Sequence, residues 1–150
     1  MNQFKIILLL TLSLLFSCAT KTPQSTASQV KAIDDFVATF NAKSSLKETV
    51  TEGVLTDTKG FEDIGTFKYY RLYDEKSNTL YRIKNVETTD KTITETYYFQ
   101  NNNLVKITYA DPSGHKAIYL NKNKVISASD LSVEMQRLLI EKAKRFKKSS

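Results

Sequence analysis

Tyr98-Phe99-Gln100-Asn101-Asn102-Asn103-Leu104-Val105-Lys106 returns 21 residues later as Tyr119-Leu120-Asn121-Lys122-Asn123-Lys124-Val125-Ile126-Ser127. Each copy reads as a strand, an asparagine-bearing turn and a second strand. A three-residue loop at Asn101-Asn102-Asn103, ending in a left-handed residue of the kind Asn tolerates, sets the register of the first hairpin. Phe99 then lies opposite Val105, Tyr97 opposite Ile107 and Glu95 opposite Tyr109. The other face pairs Tyr98 with Lys106 and Thr96 with Thr108. A slip of one residue would mix the mostly apolar face with the polar-aromatic one, so the hydrophobic pattern selects this register. The second copy follows the rule with Leu120 opposite Ile126 and Ile118 opposite Ala128. There Lys124 would occupy the left-handed position, which leaves room for a different turn. Tyr73 through Ile83, with the longer loop Asp74-Glu75-Lys76-Ser77-Asn78, is a weaker third relative whose register the pattern leaves open.

From Leu46 onward Thr, Tyr, Val and Ile alternate with polar residues. This predicts strands over 46–55, 64–74, 79–87, 92–100, 104–110, 115–121 and 125–128. The connections are too short for parallel crossovers, so neighbours are antiparallel. Asp111-Pro112-Ser113-Gly114 is a turn. Val30, Ile33, Val37 and Phe40, with Phe36 beside them, predict a helix before the strands, with Ser28 as its N-cap and Asp34 and Asp35 solvated. Asp130 to Phe146 predicts a second helix, capped by Ser129 or Asp130, with Leu131, Met135, Leu138, Leu139, Ala143 and Phe146 on one face. The expected fold class is α+β: a curved antiparallel β-meander of six or seven strands with an N-terminal helix and a C-terminal helix packed on it.

The N-terminus is of another kind. Met1 to Lys5 carries one positive charge, and Ile6 to Phe16 is an apolar run of 11 residues followed by Ser17 and Cys18, the one cysteine. A spanning helix needs roughly 20 apolar residues, so the run has the proportions of a signal-peptide core. Leu15-Phe16-Ser17-Cys18 resembles the lipobox of bacterial lipoproteins, with Phe16 bulkier than the usual occupant. The resemblance implies cleavage after Ser17 and a diacylglycerol on the Cys18 sulfur, and two or three acyl chains anchor stably where one does not. Ala19 is not the Asp that favours inner-membrane retention in some bacteria, so the expected location is the cell envelope, with the outer membrane preferred. The parts are then a signal peptide (1–17), a small polar tether (18–28) and a single α+β domain (29–150). Helix, meander, helix with tandem Tyr/Asn hairpins resembles small bacterial cell-envelope lipoproteins, and that likeness implies no catalytic residues to carry over.

Hydrophobic residues make up 41% of the chain and aromatics 11%, enough material for a core. With no cysteine besides Cys18, packing rather than disulfides must stabilise the domain. Residues 18–136 carry 15 basic and 15 acidic residues, so the excess lies in 137–150, where six basic residues face Glu141 alone. Lys144, Arg145, Lys147 and Lys148 fit an anionic lipid or polymer surface. They equally fit cations complementing a helix C-terminus, the commoner arrangement. Nucleic acid is not an expected partner for a lipid-anchored chain.

No metal-ligand spacing, phosphate-binding glycine loop or nucleophile motif is visible, and nothing in the chain calls for a cofactor. His115, the sole histidine, follows a turn glycine. Glu95 falls on the apolar face, either as an acid of raised pKa or, more in keeping with the rarity of unpaired buried carboxylates, reaching an edge, water or a lysine. Tyr98, Lys106 and Tyr119, with threonines 92, 94, 96 and 108, form a face suited to a peptide or glycan, although Tyr and Thr also fill ordinary solvated strands. The expected function is a lipid-anchored envelope binding or structural module that contacts another envelope protein or polymer through its sheet face. A lipocalin-like carrier of an apolar ligand is the alternative, and a hydrolase built on His115 ranks third.

Overall fold

The computed structural model describes residues 24–148 except 42 and 44. The signal segment 1–17, Cys18 and the tether up to residue 23 lie outside the described residues. Helix α1 spans Thr26–Asn41. Strands β1 (Lys47–Thr56), β2 (Asp63–Asp74), β3 (Thr79–Thr88), β4 (Thr92–Gln100), β5 (Asn103–Asp111), β6 (Gly114–Asn121) and β7 (Lys124–Ala128) follow, and helix α2 (Val133–Lys148) closes the order. The seven strands form one antiparallel sheet in chain order, with β1 and β7 at its edges. The sheet does not close into a barrel, so the described strands do not form the enclosure that a lipocalin-like carrier needs. The α+β meander with a helix at each end is as the sequence pattern predicts.

Both helices start later or earlier than their apolar stripes indicate, because the caps lie elsewhere. Ser25 Oγ accepts the Ser28 N–H (3.2 Å), so Ser25 caps α1 and residues 26–28, read above as tether, are its first turn. Ser132 Oγ accepts the Met135 N–H (3.2 Å) and caps α2 in place of Ser129 or Asp130. Ser129 serves the sheet instead: its Oγ accepts from the Ala117 N–H at 2.7 Å.

The register agrees with expectation in the body of each hairpin and departs from it at the turns. Tyr97 faces Ile107, Glu95 faces Tyr109, Tyr98 faces Lys106 and Thr96 faces Thr108, but Phe99 faces Leu104 rather than Val105. Asn101 and Asn102 both have positive φ (49° and 63°), the signature of a two-residue type I′ turn rather than a three-residue loop. A two-residue turn with no further adjustment would bring Lys106 onto the core face. One extra residue, Val105, is therefore inserted as a bulge between the Tyr98 and Phe99 pairings, which restores the hydrophobic alternation. The second copy repeats the device, with Lys122 and Asn123 left-handed, Leu120 facing Val125 rather than Ile126, and Ile126 as the extra residue. The third relative shares the bulge behind a longer loop: Leu72 faces Arg82, Tyr73 faces Leu80, and Tyr81 is inserted.

The two faces of the sheet are packed differently. Under α2, Ile83, Tyr97, Phe99, Ile107, Ile118 and Leu120 join Leu139 and Ala143 in the main core, with Met135, Ile140 and Phe146 at its margin. Ile140 takes the place expected for Leu138, which is half exposed. On the opposite face α1 buries Ile33, Val37 and Phe40. Phe40 packs on Tyr81 (5.5 Å between ring centres) and Tyr98 (6.0 Å), so the inserted Tyr81 becomes part of the seat for α1.

Candidate binding site

The polar-aromatic face predicted to meet a partner lies under α1. Asp34, one residue along from the buried Ile33, takes a 2.6 Å ion pair from Lys106 Nζ and a hydrogen bond from the Tyr119 hydroxyl at 3.1 Å. Lys106 Nζ also lies 5.0 Å from the centre of the Tyr119 ring and 6.0 Å from that of Tyr98. Burial works to lower the Lys106 pKa, and the bonds to Asp34 and Tyr119 overcome it, holding the ammonium above its ordinary value. The structure thus brings Tyr98, Lys106 and Tyr119 together, but Lys106 and Tyr119 hold Asp34 of α1 and the Tyr98 ring packs on Phe40 of the same helix. Asp34 is not a solvated bystander as the helical pattern predicts. Its signal in the sequence was only its position beside the apolar stripe, opposite an Lys and a Tyr that share one register line.

Beside this clasp, the N-terminal end of α1 and the two asparagine turns enclose an open groove of about 390 Å³. Its floor is apolar, made by Ile33, Val105 and Leu120, and its walls carry the amides of Gln24, Gln29, Gln100, Asn103 and Asn121. Some of these amides hold each other in place. Asn121 Nδ2 donates to Gln29 Oε1 at 2.6 Å, and Gln29 Nε2 donates to the Gln24 carbonyl at 2.8 Å. The groove exists because the repeat puts both turns at the same end of the sheet and the bulge directs Val105 toward α1. Among the described residues Lys122 is its one charged wall. Side-chain amides both donate and accept, so such a lining suits a neutral ligand that does the same, such as a peptide backbone or a glycan.

Under α2 lies a second polar group. Glu95 is only 5% exposed, and Lys142 Nζ sits 2.8 Å from its carboxylate. Lys142 also reaches Glu87 at 3.3 Å, and Asn85 Nδ2 donates to Glu87 at 2.7 Å. The Tyr97 hydroxyl donates to Glu95 at 2.8 Å; its burial first, and the Glu95 charge second, push its pKa well above the usual phenol range. Glu95 therefore reaches a lysine, the second of the two roles open to it in the sequence. The cluster is closed over by α2, and we read it as holding that helix in register.

Comparison with family models, with curated proteins and with solved structures returns no match. The residues themselves must therefore carry the functional reading. His115 is exposed at the start of β6, opposite Ala110. Among the described residues no group of three or more His, Cys, Asp and Glu could hold a metal ion, and no helix is long and apolar enough to cross a membrane.

The basic end of α2 divides its charges. Lys144 pairs with Glu141 (2.7 Å), whose pKa is lowered by that bond, and Lys147 donates to the Asn102 carbonyl at 2.5 Å. The last turn of α2 thus meets the β4–β5 turn, at the same end of the sheet as the groove. Ala143 is fully buried and Phe146 packs on Tyr69 and Tyr97, so this stretch belongs to the folded body as well as carrying charge.

Proposed function

We propose that this protein is a lipid-anchored binding module of the cell envelope, and that it contacts an envelope protein or polymer through the amide-walled groove at the hairpin-turn end. The groove carries the reading, since it combines an apolar floor with oriented donors and acceptors that the fold does not itself consume in full. The lipobox-like Leu15-Phe16-Ser17-Cys18 supports the anchor and the envelope address. Lys147, Lys148 and Lys122 lie toward the same end as the groove, where Gln24 begins the described chain. That placement favours a contact close to an anionic surface, with about 1 kcal/mol per basic residue at a charged membrane. Contact through the bare sheet at Tyr98, Lys106 and Tyr119 is disfavoured, because Lys106 and Tyr119 engage Asp34 and the Tyr98 ring packs on Phe40.

The test is photocross-linking in the native membrane. A photoreactive side chain at Gln100 or Asn121 is expected to yield a specific adduct, and one at Lys91, in the β3–β4 connection at the opposite end, is expected to yield none. Cys18→Ala should leave an unprocessed chain without lipid, altered in mass and in membrane fractionation. Equal labelling from Lys91 and Gln100 would sink the groove, and an unchanged mass and fractionation for Cys18→Ala would sink the anchor.

A further inference from the structure

The two edges of the sheet are treated differently. Strand β7 has five residues and abuts α1. Strand β1 has ten, is paired among the described residues only with β2, and is solvent-exposed on both faces from Lys47 to Glu52. Val50 and Val54, 54% and 52% exposed, stand on one of those faces. Natural edges of this length are guarded by proline, by bulges within the strand or by free charges. Here there is no proline, and the irregularity lies at the far end, at Leu55/Thr56. The three charges are tied back onto the molecule: Lys47 to Glu75, Glu48 to Arg82 (2.7 Å) and Glu52 to Lys68 (3.0 Å).

We propose that β1 is a self-association edge, pairing antiparallel with β1 of a second copy across a two-fold axis at Glu52. The second copy is chosen because the strand matches itself in one register. Two-fold antiparallel pairing requires opposite residues to share a face, so the axis must pass through a residue position. Centred on Val50 it sets Val50 against itself and Val54 against Leu46, but it opposes Glu48 and Glu52 twice. Centred on Thr51 it sets Val50 against Glu52 and Val54 against Glu48. Centred on Glu52 it sets Val50 against Val54 twice, Thr51 against Gly53 twice, and the two Glu52 carboxylates between their own Lys68 ammonium groups. That register sets the two exposed valines side by side and opposes a single pair of carboxylates, flanked by two lysines, where the register centred on Val50 opposes two pairs. Edge pairing is a small interface compared with the standard size of about 1,600 Å², so the dimer is concentration-dependent. This inference does not depend on the lipid anchor or the groove.

Sedimentation of the full chain in detergent over a concentration series tests it, alongside Glu52→Cys under mild oxidation with the parent chain, bearing Cys18, as control. Opposite Cα atoms stand about 4.5–5.5 Å apart, within the span of a disulfide, so the thiols that Glu52→Cys introduces into the two copies are expected to link to each other across the axis. Thr49→Cys, which this register places opposite Leu55, is expected not to self-link. Val50→Lys and Val54→Lys, each acting twice in the dimer, should weaken association at least about tenfold while the circular dichroism stays that of the parent. A monomer throughout the series overturns the proposal. So does association indifferent to Val50→Lys, self-linking through Thr49→Cys rather than Glu52→Cys, or a foreign chain recovered on β1.

Discussion

Glu95 shows what a single residue asks of a fold. Its side chain points into the α2 face, where an uncompensated carboxylate costs several kcal/mol, and Lys142 arrives from the helix to neutralise it. Lys142→Met should therefore destabilise the protein by about 3 kcal/mol, read as a lower urea midpoint at unchanged slope. Adding Glu95→Leu to that variant should recover a good part of the loss, because the most buried carboxylate is then gone and the more exposed Glu87 keeps its bond from Asn85. A midpoint that ignores Lys142→Met would mean the pair is hydrated in solution. The face Glu95 occupies was legible from strand alternation. Its partner was not, since Lys142 lies 47 positions away among basic residues that read equally well as complements of a helix end. Asp34 was missed for a similar reason: a helical stripe tells which side chains are apolar, and a polar neighbour at its margin meets whatever the sheet offers there. The chemistry of the α1 clasp needed both elements at once.

At the scale of the element, the informative feature is a turn that is one residue too short for its hydrophobic pattern, corrected by a bulge on the following strand. Alternation reports only the net register, so the sequence yields the right pairs in mid-hairpin and places the extra residue in the loop. The strand bounds agree within a residue or so because Thr, Tyr and β-branched residues stop abruptly at the turn residues. The turn itself is testable. Asn102 and Lys122 both sit in the left-handed region, at φ 63° and 48°, where a β-branched residue is strained and Asn is tolerated. Asn102→Val should lower stability by about 1–2 kcal/mol, and Lys122→Asn should raise it by about 0.5 kcal/mol. Thermal unfolding of the two variants checks both signs. If Lys122→Asn lowers the midpoint, the second hairpin does not carry the type I′ turn.

For the molecule as a whole, two helices on opposite faces share one sheet unevenly. The buried residues of the main core come from β3 to β6 and α2, while β1 contributes none and β2 only its partly buried Tyr69. Gly65 shows how closely β2 still approaches its neighbour, since a Cβ there would lie 2.2 Å from the Thr88 carbonyl oxygen. Stability therefore grades across the sheet, because local opening costs little where few apolar contacts are lost. Amide hydrogen exchange should show β4, β5 and β6 protected up to the global unfolding free energy. The β1–β2 ladder should open several kcal/mol below it. Within β1, alternate N–H groups face away from β2 and have no ladder partner in a single copy, so they should exchange near the rate of an unstructured chain. Raising the protein concentration should slow those outward amides selectively if β1 pairs with itself, and leave the inward ones governed by the ladder. Uniform protection from β1 to β6 would contradict the uneven layering, because it would require the exposed hairpin to share the cooperativity of a core to which it contributes so little.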